Sequence, residues 1–282
     1  MSPLWRRRAK PLLGTQVDIT ILTDDERELT RVTDAAFSRI ADIHRAMSFH
    51  EAASDVRALA RAPSGALLKL SADTLNVLRI ALDLEVESGG VFNVAVAPLL
   101  VALGLLPEPD AVQPPQARSL AAGLEWIGDD TLRVLAPLWV DLGGIAKGYA
   151  VDCAVEALRA CGVQAGLVNA GGDMRAFGSH AHVVHLRFAQ GVKAVASLRD
   201  GALASSCHAH LSIDDTASAA AIPHVDARSG RCIRSPNTVV VQASTAVHAD
   251  ALTKVALACA LTADRVCRSR DAQWRAFDYF ST

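Results

Sequence analysis

The sequence lacks the features that define several large classes of protein. No apolar run approaches the roughly 20 residues that a membrane-spanning helix needs. The formal net charge is only −2, whereas a general nucleic-acid binder presents a strongly positive face to the phosphate backbone. The cysteines form no CxxC pair and are predicted to be reduced, without a disulfide framework. These absences argue against a transmembrane segment and against nucleic acid as a partner.

Two common nucleotide-binding motifs are also missing. No GxGxxG follows the first predicted strand and no GxxxxGK[ST] occurs, so neither a standard dinucleotide fold nor a P-loop is supported. The composition is 51% hydrophobic and 21% charged over 282 residues, which is enough for a sizeable core. We expect a single domain over residues 1–282, and the proline-rich segment 107–116 allows a division into two lobes near it.

Hydrophobic periodicity predicts an α+β fold, with mostly antiparallel sheets and packed helices. Helices are predicted at 24–47, 71–87, 145–160 and 246–259. Strands are predicted at 14–22, 138–142, 165–169, 182–188, 192–198, 201–206 and 238–243, with a hairpin over 124–135 closed at 128–130. The run Arg6-Arg7-Arg8 is interpreted as a solvated N-terminal tail.

The segment VDLGGIAKGYAVD, residues 140–152, places two glycines and a lysine where a strand is predicted to lead into a helix. A bare backbone turn at a helix N-terminus is suited to receive an anion. The segment GLVNAGGDMRAFG, residues 166–178, repeats the pattern with a second glycine pair followed by an aspartate. Either turn alone is ordinary turn chemistry, but two of them favour a backbone that closely approaches a phosphate ligand.

A third segment, STAVHADALTKVALA at 244–258, places Asp250 inside an apolar helix. A buried carboxylate without a partner is costly, so Asp250 needs a counter-charge. Two alternatives stay open: a partner lysine or arginine, or a hard cation such as Mg²⁺, which prefers oxygen ligands. The histidines and cysteine of 180–210 form only weak evidence for a transition-metal site and are interpreted as surface or strand residues.

Together with "HVDARSGR", "PLLGTQVDI", "AMSFHEAASDV" and "GGVFNVAVAPL", these segments resemble the ordered motifs of the ApbE family of flavin transferases. The resemblance runs from about Leu12 to Leu261. It implies an α+β fold related to the tunnelling folds. It also implies that the chain binds FAD as its substrate and, with Mg²⁺, transfers the FMN half to a threonine hydroxyl of a target flavoprotein, releasing AMP.

The resemblance also implies roles for individual residues. The metal ligands would be the backbone carbonyl of Ala146, Asp250 and, by a shift of one position, Thr253. His224 matches a histidine suited to proton transfer, and His208 takes the place of a tyrosine that would stack on the flavin. The implied FAD contacts are Leu13, Met47, Ser48, Phe92, Asn93, Asp141, Gly143, Gly144, Lys147, Gly171, Gly172, Asp173 and His208.

The sequence departs from the family pattern at several positions. Lys254 stands where the family has a threonine that completes the metal site, and an ammonium has no lone pair to give to a cation. Asn93 replaces an aspartate and so lacks a negative charge, whereas Leu13 for methionine is a conservative apolar change. These departures allow a subfamily with altered chemistry.

Two other functions therefore stay open beside FMN transfer. One is an FAD pyrophosphatase, in which water takes the place of the threonine and yields FMN and AMP. The other is a flavin carrier that binds FAD without turnover, which Lys254 favours. The acceptor flavoprotein would carry the threonine in a flavinylation motif. The start of the sequence does not resemble a signal peptide, so we expect a cytoplasmic protein, or a periplasmic one if a leader has been removed.

Overall fold

The computed structural model describes residues 4–110, 113–116, 118–207, 224–233, 235 and 237–278. The chain forms two compact units. The first comprises Met1–Asp42, Lys147–His224 and Ile233–Thr282, and the second comprises Ile43–Ala146 and Val225–Cys232. The proline-rich segment 107–116 lies within the second unit. No helix in the described ranges is both long and apolar enough to cross a bilayer.

The first unit is built on a seven-stranded sheet in which every neighbouring pair is antiparallel. Its strand order is β1 (Leu4–Leu12), β2 (Thr15–Thr23), β6 (Gly166–Ala170), β7 (Asp173–Phe177), β10 (Gly201–Cys207), β13 (Asn237–Ala243) and β14 (Gln273–Asp278). The same unit contains the hairpin of β8 (His182–Phe188) and β9 (Gly191–Leu198). Its helices are α1 (Glu26–Met47), α6 (Ala146–Ala160), α7 (Ala246–Ala258) and α8 (Ala260–Ser269), except that the end of α1 and the first residue of α6 belong to the second unit.

Alternating burial on the strands places apolar cores on both faces of this sheet. Val17, Ile19 and Ile21 on β2 are completely buried. On the other face, a cluster that includes Met174 of β7 and Leu203 of β10 packs with residues of the β8–β9 hairpin. Helix α7 packs on β7, β10 and β13. The side chains of α7 therefore lie against a rigid sheet.

The second unit contains short elements apart from one long helix, Ala72–Ser88. Its strands are β3 (Leu67–Lys69), β4 (Leu124–Trp126) and β5 (Thr131–Val134) in the order β3-β5-β4, and the two-stranded ribbon of β11 (Val225–Asp226) and β12 (Arg231–Cys232). Its helices are α2 (Asp55–Arg61), α3 (Ala72–Ser88), α4 (Ala97–Ala102) and α5 (Leu120–Gly123). Helix α3 begins at the N-cap Ser71 and ends at the left-handed Gly89, as its sequence signals require.

The predicted α+β class is confirmed, and so are most of the predicted elements. The four predicted helices correspond to α1, α3, α6 and α7, within about two residues at each end. The hairpin predicted over 124–135 is the β4–β5 pair. All six cysteines are free thiols.

Two local predictions are wrong. Residues 138–142 form no strand, although Leu138, Val140 and Leu142 are completely buried. The amide of Asp141 donates to the carbonyl of Val94 (2.8 Å), but the segment pairs with no strand, so its apolar alternation reflects burial alone.

The Arg6–Arg8 run is not a solvated tail, because it forms part of strand β1. Each arginine has its own acidic partner: Arg6 pairs with Glu26, Arg7 with Asp18 and Arg8 with Asp34. A run of like charge at an edge strand is tolerated here because carboxylates on β2 and α1 face it.

Candidate active site

Helices α6 and α7 cap each other. Asp152 of α6 accepts the backbone N–H groups of Ala246 (2.9 Å) and Val247 (2.8 Å), the first two residues of α7. In return, Asp250 of α7 accepts the backbone N–H of Gly148 in the first turn of α6 (3.0 Å). The N-cap residue of α7, Thr245, makes no side-chain capping bond, so Asp152 performs that task from the other helix. The exchange fixes both helix N-termini relative to each other.

Gly148 is required at the crossing of the two helices. A Cβ at this position would lie 2.1 Å from the carbonyl oxygen of Ala246 and 2.8 Å from the Cβ of Asp250. Contacts this short with backbone atoms are not relieved by turning a side chain. The glycine of the KGYAVD segment therefore permits close helix packing, and through it the bond between Gly148 and Asp250.

Asp250 is completely buried and has a partner for each carboxylate oxygen. Oδ2 accepts the Gly148 N–H, and Oδ1 pairs with the ammonium of Lys254 one helical turn further on. Thr253, also completely buried, donates its hydroxyl to the carbonyl of Asp250 (2.7 Å) and lies 2.7 Å from the hydroxyl of Ser206 on β10. The counter-charge of Asp250 in the described structure is thus a lysine.

A second ion pair, also with a buried aspartate, lies in the same unit. Asp173, at the start of β7, is 1% exposed and pairs through Oδ2 with the ammonium of Lys147 on α6. Its other oxygen, Oδ1, is buried with no hydrogen-bond partner among the described residues. Two residues along β7, Arg175 donates to Asp152 (3.0 Å). Alternate residues of this strand therefore bind α6.

The charges of these groups influence one another. Burial raises the pKa of Asp173 to about 6, the nearby charge of Asp250 adds to the rise, and Lys147 and Lys254 oppose it. Burial also acts to raise the pKa of Asp250, but Lys254, Lys147 and the Gly148 N–H outweigh it and the pKa is lowered. The pKa of Lys147 is raised, because Asp250 and Asp173 outweigh the effect of its burial. The cluster holds two carboxylates and two ammonium groups in one electrostatic unit.

Two hairpin turns lie side by side at the end of the sheet where Asp173 begins β7. Leu13 and Gly14 join β1 to β2 with φ of 55° and 69°, and Gly171 and Gly172 join β6 to β7 with φ of 63° and 104°. A Cβ on Gly171 would lie 2.6 Å from the hydroxyl of Thr15, the first residue of β2. Glycine is needed in the second turn for both its backbone conformation and its close packing. Leucine with a positive φ is strained, which is a frequent property of functional positions.

The remaining predicted contacts of the first unit are less fully defined. The carbonyl of His224 accepts the N–H of Ile233 (2.6 Å) and the residue is half-buried. His208 lies outside the described residues. Leu13, Lys147, Gly171, Gly172, Asp173, Asp250 and Thr253 share this unit, and their roles toward FAD stay predictions.

In the second unit, Asn93 has a structural use for its amide. Its Nδ2 donates to the carbonyl of Arg118 (2.8 Å), and its Oδ1 accepts the N–H of Ala95 (2.7 Å). An aspartate has no donor for the first of these bonds, which gives a physical reason for asparagine here. The neighbouring Phe92 is buried, and its N–H donates to the hydroxyl of Ser88 (3.0 Å).

The other predicted contacts of the second unit occupy two short segments. Met47 is buried at the end of α1, and the hydroxyl of Ser48 accepts the N–H of His50 (3.2 Å). Asp141 accepts the N–H of Gly143 (3.2 Å), which forms the turn before Ala146 together with Gly144. The convergence of these residues with those of the first unit on one ligand stays a prediction.

Three residues that contribute to the cluster were not predicted as site residues. Asp152 lies within the quoted VDLGGIAKGYAVD segment, and an acidic residue inside an apolar helix was the available signal, as it was for Asp250. Ser206 and Arg175 lie on strands and carried no signal in the sequence alone. His180 and His182 pack against Trp5: their rings lie edge-on to it, with centroids at 5.1 and 5.0 Å.

The geometry defines a site in an α+β unit. In this site, two buried aspartates and two lysines form a cluster beside glycine turns. A sequence model of the ApbE family matches residues 13–276 of this chain. The match covers more than nine-tenths of the sequence, and the chain belongs to the ApbE family.

Relatives of known activity are similar to this chain over part of their length. The FAD:protein FMN transferase of Haemophilus influenzae is 31% identical over 125 residues, which are 40% of this chain and 36% of that protein. The FAD:protein FMN transferase of Vibrio cholerae is 28% identical over 191 residues, 64% of this chain and 56% of that protein. The chain thus spans about a third to just over half of these two relatives.

Solved structures share the fold over nearly the whole chain. The ApbE protein of Thermotoga maritima superposes with a TM-score of 0.81 at 21% identity, covering 97% of this chain and 94% of that one. The flavinyl transferase ApbE of Pseudomonas stutzeri, in its apo form, gives a TM-score of 0.74 at 21% identity, with 92% and 85% covered. At this identity the likeness concerns the fold.

Proposed function

We propose that this chain transfers the FMN part of FAD to a threonine hydroxyl of an acceptor flavoprotein and releases AMP. The observation that carries the proposal is the buried cluster of Lys147, Asp173, Asp250 and Lys254 beside the Gly171-Gly172 turn. Membership of the ApbE family, whose relatives include FAD:protein FMN transferases, supports the same activity.

The cluster suits a diphosphate because it presents ammonium groups at a glycine-lined backbone. An ammonium has three N–H donors, and pairing with Asp173 uses one of those on Lys147. Lys147 lies in the first turn of α6, where the helix dipole adds positive potential. The positive φ angles of Gly171 and Gly172 give a turn without side chains, which a phosphate can approach closely.

The reaction exchanges one phosphorus–oxygen bond for another. The threonine oxygen attacks the phosphorus of the FMN half and forms a phosphodiester, while the bond from that phosphorus to the bridging oxygen breaks. The bridging oxygen leaves with AMP, and the hydroxyl proton passes to a base. The protein contributes positioning and charge stabilisation, which dominate phosphoryl transfer. We assign the base role to His224, the histidine of the HVDARSGR segment.

The two side chains predicted to bind Mg²⁺, Asp250 and Thr253, do not fit a metal site as they are arranged. Both carboxylate oxygens of Asp250 already accept N–H donors, one of them from an ammonium. The hydroxyl of Thr253 is bonded to the Asp250 carbonyl and to Ser206, and Lys254 offers no lone pair. The proposal therefore contains no step through Mg²⁺ at Asp250.

Incubation with FAD and an acceptor domain that carries a threonine flavinylation motif tests the proposal. Transfer predicts flavin fluorescence on the acceptor after denaturing gel electrophoresis, with one AMP released per flavin attached. An acceptor with threonine changed to alanine should stay unlabelled. FMN and AMP appearing in solution without acceptor would instead indicate a pyrophosphatase, and retained FAD without AMP would indicate a carrier.

Two variants sharpen this experiment. Lys147→Met should slow transfer by at least about 100-fold, because it removes a cation from the diphosphate site. Lys69→Met is a matched control, since Lys69 forms an exposed pair with Asp130 (3.1 Å) in the second unit and should leave transfer unchanged. His224→Ala should lower transfer by about 100-fold or more while FAD binding persists, as expected for a general base.

A further inference from the structure

We propose that the ammonium of Lys254 takes the place of a divalent cation at Asp250, so that this chain binds the diphosphate of FAD with no metal ion on that carboxylate. The inference rests on the proposed function for its ligand. It identifies the positive charge that neutralises the buried carboxylate of Asp250.

The first argument is the geometry of the pair. Lys254 follows Asp250 by four residues on α7, so the two side chains project from one face of the same helix. Asp250 is completely buried and the side chain of Lys254 is 18% exposed. The ammonium also lies 3.4 Å from the hydroxyl of Ser206, which orients it from β10. The cation is therefore supplied by the element that carries the carboxylate.

The second argument is charge balance. The cluster contains the carboxylates of Asp173 and Asp250 and the ammonium groups of Lys147 and Lys254, so its formal charge is already zero. A divalent ion entering this cluster would meet two positive charges at short range in a poorly solvated site, where repulsion is strong. A phosphate oxygen, in contrast, would find N–H donors on both lysines.

The third argument is the set of available ligands. No group of three or more histidine, cysteine or acidic side chains that could hold a metal ion occurs among the described residues. The buried Oδ1 of Asp173 lacks a partner, but that carboxylate is already neutralised by Lys147 through Oδ2. One carboxylate oxygen without a partner, beside two ammonium groups, falls far short of the six oxygen ligands that Mg²⁺ takes.

The proposal is tested by measuring the affinity of the wild-type chain for FAD in EDTA and in Mg²⁺. Quenching of flavin fluorescence reports the binding. We expect the two dissociation constants to agree within about twofold, a difference far below the tenfold that 1.4 kcal/mol represents. We also expect electron paramagnetic resonance to show no Mn²⁺ bound by the wild-type chain without FAD. A tenfold weaker affinity in EDTA, or Mn²⁺ bound stoichiometrically by the free chain, would overturn the proposal.

Two variants make the test specific to Lys254. Lys254→Thr should bind FAD about tenfold more weakly in EDTA and recover with Mg²⁺, because a hydroxyl and a freed carboxylate form a cation site. Lys254→Met should be weakened equally but gain nothing from Mg²⁺. Unchanged binding by both variants would contradict the inference. If neither variant folds, as judged by circular dichroism, the Mn²⁺ measurement on the wild type decides.

The outcomes also separate this inference from the proposed function. Equal FAD binding in EDTA and Mg²⁺ without AMP release in the presence of acceptor would reject the transferase and keep the Lys254 assignment. Transfer of FMN together with FAD binding that is lost in EDTA would keep the transferase and reject the Lys254 assignment. If FAD does not bind in either buffer, the proposed function fails and Mn²⁺ binding alone tests Lys254.

Discussion

Asp173 and Asp250 are buried to the same degree and each pairs with a lysine, yet their pKa values move in opposite directions. Asp250 sits inside helix α7 with both oxygens bonded and two ammonium groups near it, and its pKa is lowered. Asp173 sits at the start of β7 with one oxygen unbonded, and its pKa rises to about 6. Burial alone therefore does not set the charge state of a carboxylate. The charges and hydrogen-bond donors around it also matter: the charge of Asp250 raises the pKa of Asp173, whereas Lys254, Lys147 and the Gly148 N–H lower the pKa of Asp250.

The largest effect is expected when Asp250 is neutralised. Asp250→Asn leaves Lys254 without its paired carboxylate and removes one of the two negative charges near Lys147, and breaking one side of a buried pair costs about 3–5 kcal/mol. Guanidinium unfolding at pH 7 measures the loss. Asp173→Asn is the matched control and should cost clearly less, because that carboxyl makes fewer bonds and its raised pKa shows that its charge is less stabilised. Equal losses for the two variants would remove the distinction between them.

The next effect concerns the glycine that lets the two helices meet. Gly148→Ala places a methyl group 2.1 Å from the Ala246 carbonyl oxygen, so α6 and α7 must move apart and the Gly148–Asp250 bond is lost. We expect a loss of about 3 kcal/mol, at the upper end of overpacking costs. Gly201→Ala is the control: its nearest neighbour would be 3.5 Å away, an ordinary contact, so the unfolding free energy should change little. A Gly148→Ala protein as stable as the wild type would mean that the helices do not cross so closely.

Asp152 tests whether the capping is reciprocal. Asp152→Asn replaces one of the two oxygens that accept the Ala246 and Val247 N–H groups with an amide donor, and it weakens the pair with Arg175. We expect the free energy of unfolding to fall by about 2 kcal/mol. If the two helices stabilise each other, hydrogen exchange at the Gly148 amide should also accelerate, although that amide bonds to Asp250. Glu156→Gln is the control, because it weakens only the contacts of the more exposed Glu156 with Arg175 and Arg159. It should leave the Gly148 amide protected from hydrogen exchange.

This cluster marks how far the sequence alone could lead. Asp250 is recognisable from the sequence because a charge inside an apolar helix demands a partner, and a lysine is one of the two partners that the sequence allows. Lys254 was noticed as a departure from a family pattern. The identity of the partner could not be read, since i,i+4 spacing permits an ion pair without requiring one.

The two wrong predictions, a strand at 138–142 and a solvated tail at Arg6–Arg8, have a common physical origin: both depend on contacts that the local sequence does not specify. Segment 138–142 shows the burial of a strand without strand pairing, because alternating apolar residues report only which side chains are covered. Arg6–Arg8 forms a strand because Asp18 and Asp34, distant in sequence, neutralise it. Helices α1, α3, α6 and α7 were predictable because their hydrophobic periodicity is local. Ser206 and Arg175 were not, because their partners come from other elements.

The pH dependence of stability is a smaller test of the same comparison. The pKa of Asp173, about 6, lies above its ordinary value of 3.8, so the folded protein holds that proton more tightly. Its stabilising contribution is complete below about pH 4 and is lost as the pH rises through 6. Asp250, with a lowered pKa, contributes in the opposite sense: its contribution is present above 3.8 and lost as the pH falls through its folded value.

Asp173→Asn isolates the first of these contributions. Between pH 4 and pH 7 the stability of the wild type relative to this variant should fall by about 1–2 kcal/mol, less than the full shift would give because the site is coupled to Asp250. Urea unfolding at several pH values measures the two curves. Parallel curves would show that Asp173 ionises as it does in the unfolded chain.

The smallest effect is expected for an ion pair of the same chemistry outside the cluster. Arg7 on β1 donates to Asp18 on β2 at 2.6 Å, and the arginine side chain is 59% exposed. Water solvates the exposed arginine and salt screens the pair, while Gln16 still donates to Asp18 (3.0 Å) once the arginine is removed, so Arg7→Ala should cost below about 1 kcal/mol and still less in 1 M salt. Asp250→Asn, measured in the same two buffers, should keep most of its loss at high salt, since ions do not reach a completely buried carboxylate. If the two losses respond to salt alike, burial is not what separates the cluster from the surface.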